Sequence, residues 1–91
     1  MKLEIITPQK IVFSGNVNVV TLPGTNGKFT VLENHASLIA SLTKGVIRYK
    51  NKDNPLHEYP IESGLCEVNL NEIYVCVEQI TNEKSDEPIK Q

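Results

Sequence analysis

Short apolar runs closed by proline or glycine fill most of this chain of 91 residues, and they restrict its fold more than any other feature. Residues 2–7 form one such run, which stops at Pro8, and the β-branched run at residues 17–22 stops at Pro23. No segment of the sequence has apolar residues at helical spacing with capping residues at both ends. Strand-like runs at intervals of roughly 8–12 residues, separated by turn residues, are typical of sandwiches and barrels. The sequence therefore predicts an all-β fold.

Turn residues also divide the middle of the chain. Thr25-Asn26-Gly27 predicts a tight hairpin turn, because Asn and Gly accept the positive φ that such turns require. Further strands are predicted at residues 10–14, 29–32, 46–50 and 56–61. Residues 37–42 stay ambiguous, because Leu38 and Leu42 have a helical spacing within a stretch that is too short for more than two turns.

The last predicted hairpin pairs residues 65–69 with residues 72–77 around the loop Leu70-Asn71. In this register one face is apolar and carries Cys66, Val68, Ile73, Val75 and Val77, whereas the other is mostly polar and carries Leu65, Glu67, Asn69, Glu72, Tyr74 and Cys76. A slip of one residue would mix the two sets, so this register is preferred. It sends the two cysteines to opposite faces, which excludes a disulfide between them. We interpret Cys66 as a core residue and Cys76 as semi-exposed, both in a reducing compartment.

Length and charge set further limits. A mass of 10.2 kDa predicts one domain, residues 1–81, followed by a polar tail, residues 82–91. No apolar run approaches the ~20 residues that span a bilayer, and no signal peptide is recognisable, so we expect an intracellular protein. A net charge of −2 argues against nucleic acid as the main partner. Residues 1–52 carry +5 and residues 53–91 carry −7, which indicates either two solvated faces of opposite sign or an electrostatically complementary docking surface.

Residues that could carry out chemistry are few. His35 and His57 are the two histidines, and neither belongs to a Cys and His spacing typical of zinc sites. Gly24 and Gly27 are not followed by the Lys-Ser/Thr pair of a phosphate-binding loop, so a hairpin turn is the simpler interpretation. No serine or cysteine nucleophile motif is present. We therefore predict no catalytic residue, no metal site and no cofactor.

A resemblance to a known family rests on a series of short motifs in a fixed order. The motifs are Phe13-Ser14-Gly15, Val17, Leu22-Pro23-Gly24, Gly27–Leu32, His35-Ala36, Leu38, residues 45–48, residues 61–68 and residues 73–77. Over about residues 1–80 they resemble the epsilon subunit of F-type ATP synthases. The pattern departs at Glu33-Asn34, which replace a proline and a glycine, and at Ser37, which replaces a proline. These departures concern the conformation of the loop at residues 33–37 more than the fold.

The resemblance implies a flattened sandwich or barrel of about ten short strands. Many members of the family continue into a C-terminal pair of helices, and the end of this sequence has no helical pattern, so we expect a form with the sandwich alone. The implied function is that of a non-catalytic central-stalk, or rotor, subunit. It would link the gamma subunit to the membrane c-ring and support proton-driven ATP synthesis, with only indirect coupling to the catalytic head. The implied location is the cytoplasmic face of the bacterial inner membrane, as a peripheral part of the complex.

The resemblance also implies two sets of contact residues by position. The c-ring would contact the turn formed by Gly24, Thr25, Asn26, Gly27 and Lys28, and the gamma subunit would contact Thr7, His35, Ala36, Leu38 and Leu42. Lys28 either pairs with an acid of a c-ring loop or is a solvated turn lysine, and an exposed ion pair is worth only about 0–1 kcal/mol. The alternative for Leu38 and Leu42 is core packing. The alternative for His35 is hydrogen bonding within its own loop.

Two other functions stay open. One is a small intracellular β-sandwich module that binds a ligand or peptide, which requires a concave pocket with convergent polar groups. The other is a small hydrolase that uses His35 or His57, which alanine substitution of each histidine would test.

Overall fold

The fold is built from strands alone. A computed structural model describes residues 1–80, and within that range it contains eight β-strands and no helix. The strands are β1 (Lys2–Ile6), β2 (Ile11–Asn16), β3 (Val19–Gly24), β4 (Gly27–Leu32), β5 (Leu38–Leu42), β6 (Gly45–Lys50), β7 (His57–Asn69) and β8 (Glu72–Gln79). The predicted all-β fold is confirmed, and residues 37–42, left ambiguous above, contain strand β5. The predicted polar tail, residues 82–91, lies outside the described residues.

All eight strands belong to one sheet. Its order is β2-β1-β8-β7-β5-β3-β4, and β6 pairs with both β7 and β3. The pairing of β1 with β8 is parallel, whereas every other pairing between these strands is antiparallel. Strands β5 and β6 follow one another along β7, opposite residues 64–68 and 57–61 respectively. The result is a flattened body of 50 × 29 × 20 Å.

The resemblance implied about ten short strands, and the described part of the chain forms eight, of which β7 is the longest. Its 13 residues join two stretches that the sequence predicted as separate strands, residues 56–61 and 65–69. Gly64 lies in the middle of β7, where an added Cβ would stand 2.7 Å from the Cys76 carbonyl oxygen. The absence of a side chain therefore permits close contact with β8, and the strand continues through residues 62–64, which lay between the two predicted strands.

The core is mainly aliphatic. Strands β1, β3, β7 and β8 alternate buried and exposed positions, so that one side of the sheet encloses the core. The buried hydrophobic residues are Leu3, Ile5, Val17, Val20, Leu22, Val31, Leu42, Ile47, Tyr49, Ile61, Cys66, Val68, Ile73, Val75 and Val77. The aromatic ring of Phe13 packs on that of Tyr49 with centroids 4.6 Å apart, and the His57 ring stacks on Tyr49 with centroids 5.4 Å apart.

The register predicted for the last hairpin is confirmed. Val68 pairs with Ile73 and Cys66 with Val75, around a loop in which Leu70 adopts a φ of 58°. Cys66 is buried and Cys76 is exposed, and both are free thiols. Burial raises the pKa of the Cys66 thiol to about 11.

Candidate functional site

The turn between β3 and β4 contains the residues predicted to contact the c-ring. Gly24 pairs with Gly27, so Thr25 and Asn26 form a turn of two residues. Gly27 takes the positive φ, +124°, whereas Asn26 is not among the described residues with positive φ. The predicted turn and the positive φ of Gly27 are thus present, whereas Asn26 does not adopt a positive φ. Lys28 is exposed at the start of β4.

This turn is held against β5 and cannot swing freely. The Thr25 backbone N–H donates to the Ser41 carbonyl at 3.0 Å, and the hydroxyls of the two residues lie 2.8 Å apart. The Thr43 N–H donates to the Pro23 carbonyl at 2.8 Å on the other side of Gly24. An open groove of about 450 Å³ is lined by the turn and by Ile39, Ala40 and Ser41 of β5. The turn is therefore a pre-positioned polar projection beside β5.

The residues predicted to contact the gamma subunit do not form one patch of side chains. Leu42 is buried in the core, which is the alternative stated for it above, and Leu38 is half-buried and packs against the same core. Thr7 is also buried, and its hydroxyl accepts hydrogen bonds from the N–H groups of Gln9 and Lys10 at 3.2 and 3.1 Å. The side chains of Leu42 and Thr7 thus have structural contacts within the chain.

His35 and Ala36 lie in the loop between β4 and β5. The His35 N–H donates to the Leu32 carbonyl at 3.2 Å, and its Nδ1 lies 2.7 Å from the Ala36 carbonyl oxygen, so the predicted hydrogen bonding within the loop is present. Ala36 is exposed and His35 is half-buried. Asn34 has a φ of 64°, a left-handed conformation that asparagine tolerates better than most residues other than glycine. Asn34 therefore fits the backbone position where the family pattern has a glycine.

A pair of asparagines ties this loop to the β7–β8 turn. The Asn34 N–H donates to Asn71 Oδ1 at 2.8 Å, and Asn71 Nδ2 donates to Asn34 Oδ1 at 3.1 Å. The Asn71 carbonyl in turn accepts the N–H of Lys2 at 2.8 Å. Loop and turn are thus fixed to each other and to the first strand.

The outer side of the sheet carries an apolar row that was not predicted from the sequence. Ile11, Ile6, Cys76 and Leu65 stand opposite one another on β2, β1, β8 and β7, and we call these four residues the apolar row. Ile11 is 63% exposed and Leu65 is 51% exposed. Leu65 is paired with Ser41, the residue that holds the β3–β4 turn. The apolar row therefore extends to the polar turn as one continuous surface.

Acidic side chains flank the apolar row. In the next row Glu4 pairs with Tyr74, and Tyr74 pairs with Glu67. The Tyr74 hydroxyl donates to Glu72 Oε1 at 3.1 Å, and this hydrogen bond is the main reason why the pKa of Tyr74 is raised. Ile39 on β5 pairs with Glu67 at the end of this second row, and its side chain is 72% exposed. The outer surface of β1, β8, β7 and β5 is thus apolar and acidic.

The outer surface of β4, β3 and β6 has the opposite character. Lys28, Arg48 and Lys50 occupy outward positions there, and Arg48 Nε donates to Glu58 Oε2 at 2.7 Å. The difference in charge between the two parts of the sequence is therefore also a difference between two regions of the folded surface. Such an arrangement orients a charged partner by long-range attraction and repulsion.

Other kinds of site find little support in residues 1–80. Within that range no group of three or more His, Cys, Asp or Glu side chains is placed to hold a metal ion. His35 is engaged with its own loop, and His57 stacks on Tyr49. No helix among the described residues is long and apolar enough to cross a membrane.

Comparisons with known proteins identify the family of this chain. Residues 1–83 match the family model described as ATP synthase, Delta/Epsilon chain, beta-sandwich domain. An ATP synthase epsilon chain of Chlorobaculum tepidum is 40% identical over 79 residues, which cover 87% of this chain and 90% of that protein. The epsilon chain of Chlorobium limicola is 39% identical over 80 residues, which cover 88% of this chain and 91% of that protein. That of Sulfurimonas denitrificans is 41% identical, but the match spans 86% of this chain and only 60% of the longer relative.

Solved structures share the fold at low sequence identity. One chain of the Euglena gracilis mitochondrial ATP synthase, in a complex described as OSCP/F1/c-ring, superposes with a TM-score of 0.79 at 18% identity and covers 92% of this chain and 54% of its own. A chain of the Tetrahymena thermophila mitochondrial ATP synthase, in a structure of its central stalk and c-ring, superposes with a TM-score of 0.75 at 13% identity. The match covers 92% of this chain and 67% of that chain. Family match, relatives and fold agree, and this chain belongs to the β-sandwich family of ATP synthase delta and epsilon chains.

Proposed function

We propose that this protein is a non-catalytic central-stalk subunit of a rotary ATP synthase, where it links the gamma subunit to the c-ring. The observation that carries the proposal is the apolar row, which leaves Ile11 and Leu65 more than half exposed and continues to the β3–β4 turn. Contiguous exposed apolar surface on a small domain is typical of protein–protein interaction sites. A rotor subunit requires two such adhesive surfaces on a stiff domain, and it requires no active site.

The gamma subunit is the partner we assign to the apolar row. The row lies on four neighbouring strands, so it offers a rigid surface that a partner can cover without ordering a loop. Acidic Glu4 and Glu67 beside it favour a partner with basic residues around an apolar centre. His35, Ala36 and Leu38 stay predicted gamma contacts, and so do Thr7 and Leu42, whose burial restricts them to backbone or indirect contacts.

The c-ring is the partner we assign to the β3–β4 turn. Gly24, Thr25, Asn26, Gly27 and Lys28 form a polar projection whose position is set by the hydrogen bonds to Ser41. Polar loops of a rotor ring would meet polar and cationic groups there. The proposed location is accordingly peripheral, on the cytoplasmic face of a bacterial inner membrane, where the protein would support proton-driven ATP synthesis.

The test is co-expression with the gamma subunit from the same genome, followed by size-exclusion chromatography with light scattering. We expect a stable complex of one copy of each subunit. Two separate peaks, with this protein folded and monomeric, would instead favour the small binding module described above. An assay of the purified protein for hydrolytic activity, with His35→Ala and His57→Ala variants as controls, tests the proposed absence of catalysis.

A further inference from the structure

We infer that Asn26 is a site of spontaneous covalent modification, at which deamidation converts the turn residue to aspartate or isoaspartate. The inference concerns the chemistry of the chain itself and does not depend on the proposed function. Asn26 is the only asparagine in the sequence that precedes a glycine. It is exposed at the tip of the β3–β4 hairpin, the kind of position at which chemical change is tolerated.

The step needs only water. The backbone nitrogen of Gly27 attacks Cγ of Asn26, its proton is transferred to the leaving amide nitrogen, and ammonia departs to leave a cyclic imide. Water then opens the imide at one of its two carbonyls. Opening at the side-chain carbonyl produces aspartate, and opening at the main-chain carbonyl produces isoaspartate, in which the backbone runs through Cγ.

Two features of the structure favour this reaction at Asn26. Gly27 has no side chain, and apart from its two chain neighbours no atom lies within 4 Å of the position that a Cβ would occupy, so no side chain crowds the peptide bond at which the ring closes. Among residues 1–80 the Asn26 side chain has no hydrogen-bond partner that would hold it away from its own backbone. In contrast, the side chains of Asn18, Asn34, Asn51 and Asn71 are each held by a hydrogen bond.

The two products have different structural consequences. Aspartate adds one negative charge next to Lys28 and leaves the backbone unchanged. Isoaspartate inserts a methylene into a turn that has only two residues between Gly24 and Gly27. The backbone of that turn is closely packed, because a Cβ on Gly24 would stand only 2.7 Å from the Gly27 carbonyl oxygen. Isoaspartate therefore disturbs the end of the hairpin, whereas aspartate does not.

The experiment incubates the folded, purified chain in heavy-oxygen water at mildly alkaline pH and follows each asparagine by peptide mapping. We expect Asn26 to convert at least about tenfold faster than Asn18 or Asn71, because those residues precede residues with side chains. Asn26→Gln, whose longer side chain cyclises far more slowly, should abolish the acidic product that ion exchange separates. Conversion of Asn26 at the rate of Asn18 and Asn71 would overturn the inference.

A second measurement tests the structural consequence. The isoaspartate fraction, isolated by chromatography and identified by isoaspartyl methyltransferase labelling, should have a lower Tm than the unmodified chain. The Asn26→Asp variant, which carries the same charge on a normal backbone, should keep the original Tm. Equal Tm values for the isoaspartate fraction and Asn26→Asp would show that the turn accommodates the extra methylene.

Discussion

The hydroxyl of Thr25 lies 2.8 Å from the hydroxyl of Ser41, and the Thr25 N–H donates to the Ser41 carbonyl at 3.0 Å. Through this pair the tip of the β3–β4 hairpin is attached to the middle of the sheet, because Ser41 pairs with Leu65 on β7. The polar turn and the apolar row therefore keep a constant relative position. A subunit that transmits rotation between two partners requires such a fixed distance between its contact surfaces.

Replacement of Ser41 by Ala tests this attachment. We expect a loss of about 0.5–1 kcal/mol in the free energy of unfolding, because one exposed hydroxyl pair is removed while the backbone bond stays. Hydrogen exchange of the Thr25 amide should become faster, whereas the amides of β8 should not change. Ser37→Ala, at an exposed position in the loop just before β5, is the control. Equal effects of the two substitutions would contradict a specific role of the Thr25–Ser41 pair.

The asparagine pair between loop and turn leads to a second prediction. Asn34→Ala should cost more stability than Asn34→Gly, because alanine is strained at a φ of 64° and glycine is not. Asn71→Ala should cost about 1 kcal/mol through the loss of the hydrogen bonds to Asn34. Asn69→Ala, on the same hairpin, is the matched control. Denaturant unfolding measures all four, and identical stabilities of the two Asn34 variants would refute the role of the backbone conformation.

The two cysteines should differ sharply in reactivity. A thiol reagent should modify exposed Cys76 rapidly in the native protein. It should modify buried Cys66 only when the protein unfolds. Mass spectrometry of the native and denatured chain counts the modified sites. Rapid native labelling of both thiols would contradict the burial of Cys66.

Stability should fall at alkaline pH because of Cys66. Burial raises the pKa of its thiol from 9.0 to about 11, so the folded state binds the proton more tightly than the unfolded state. The stabilisation is complete below pH 9 and is lost as the pH rises towards 11. Cys66→Ala should flatten the fall in Tm between pH 9 and 10, where tyrosines, with an ordinary pKa of about 10, contribute less than they do above pH 10. Cys76→Ala should retain the fall, and its disappearance there would contradict the assignment.

The apolar row should be needed for assembly but not for folding. Leu65→Asp places a charge at a side chain that is 51% exposed, so the Tm should change little while the complex with gamma is lost in co-purification. Thr30→Asp, at an exposed position of β4, is the matched control and should retain the complex. Retention of the complex by Leu65→Asp would remove the apolar row from the interface.

Much of the fold follows from local patterns. The alternation of apolar and polar residues in residues 65–77 favours the register of the last hairpin, because a slip of one residue would mix the apolar and polar sets on each face. The continuity of β7 through Gly64 was not predicted, because glycine weakens a strand unless another backbone approaches it closely, and that approach is not visible in the sequence. The side chain of Leu42 likewise had two interpretations, a contact with the gamma subunit or packing in the core. The pairing of β5 with β7 buries it in the core.

By itself the sequence determined an all-β chain, the hairpin turn at Gly27, the separation of the cysteines and, through its motifs, the family. Only the tertiary structure decided where the outward apolar residues meet. Ile6 and Cys76 are 70 positions apart and become neighbours through the parallel pairing of β1 with β8. No local propensity specifies that pairing, because it depends on closing a long loop and on burying the opposite face of both strands in one core.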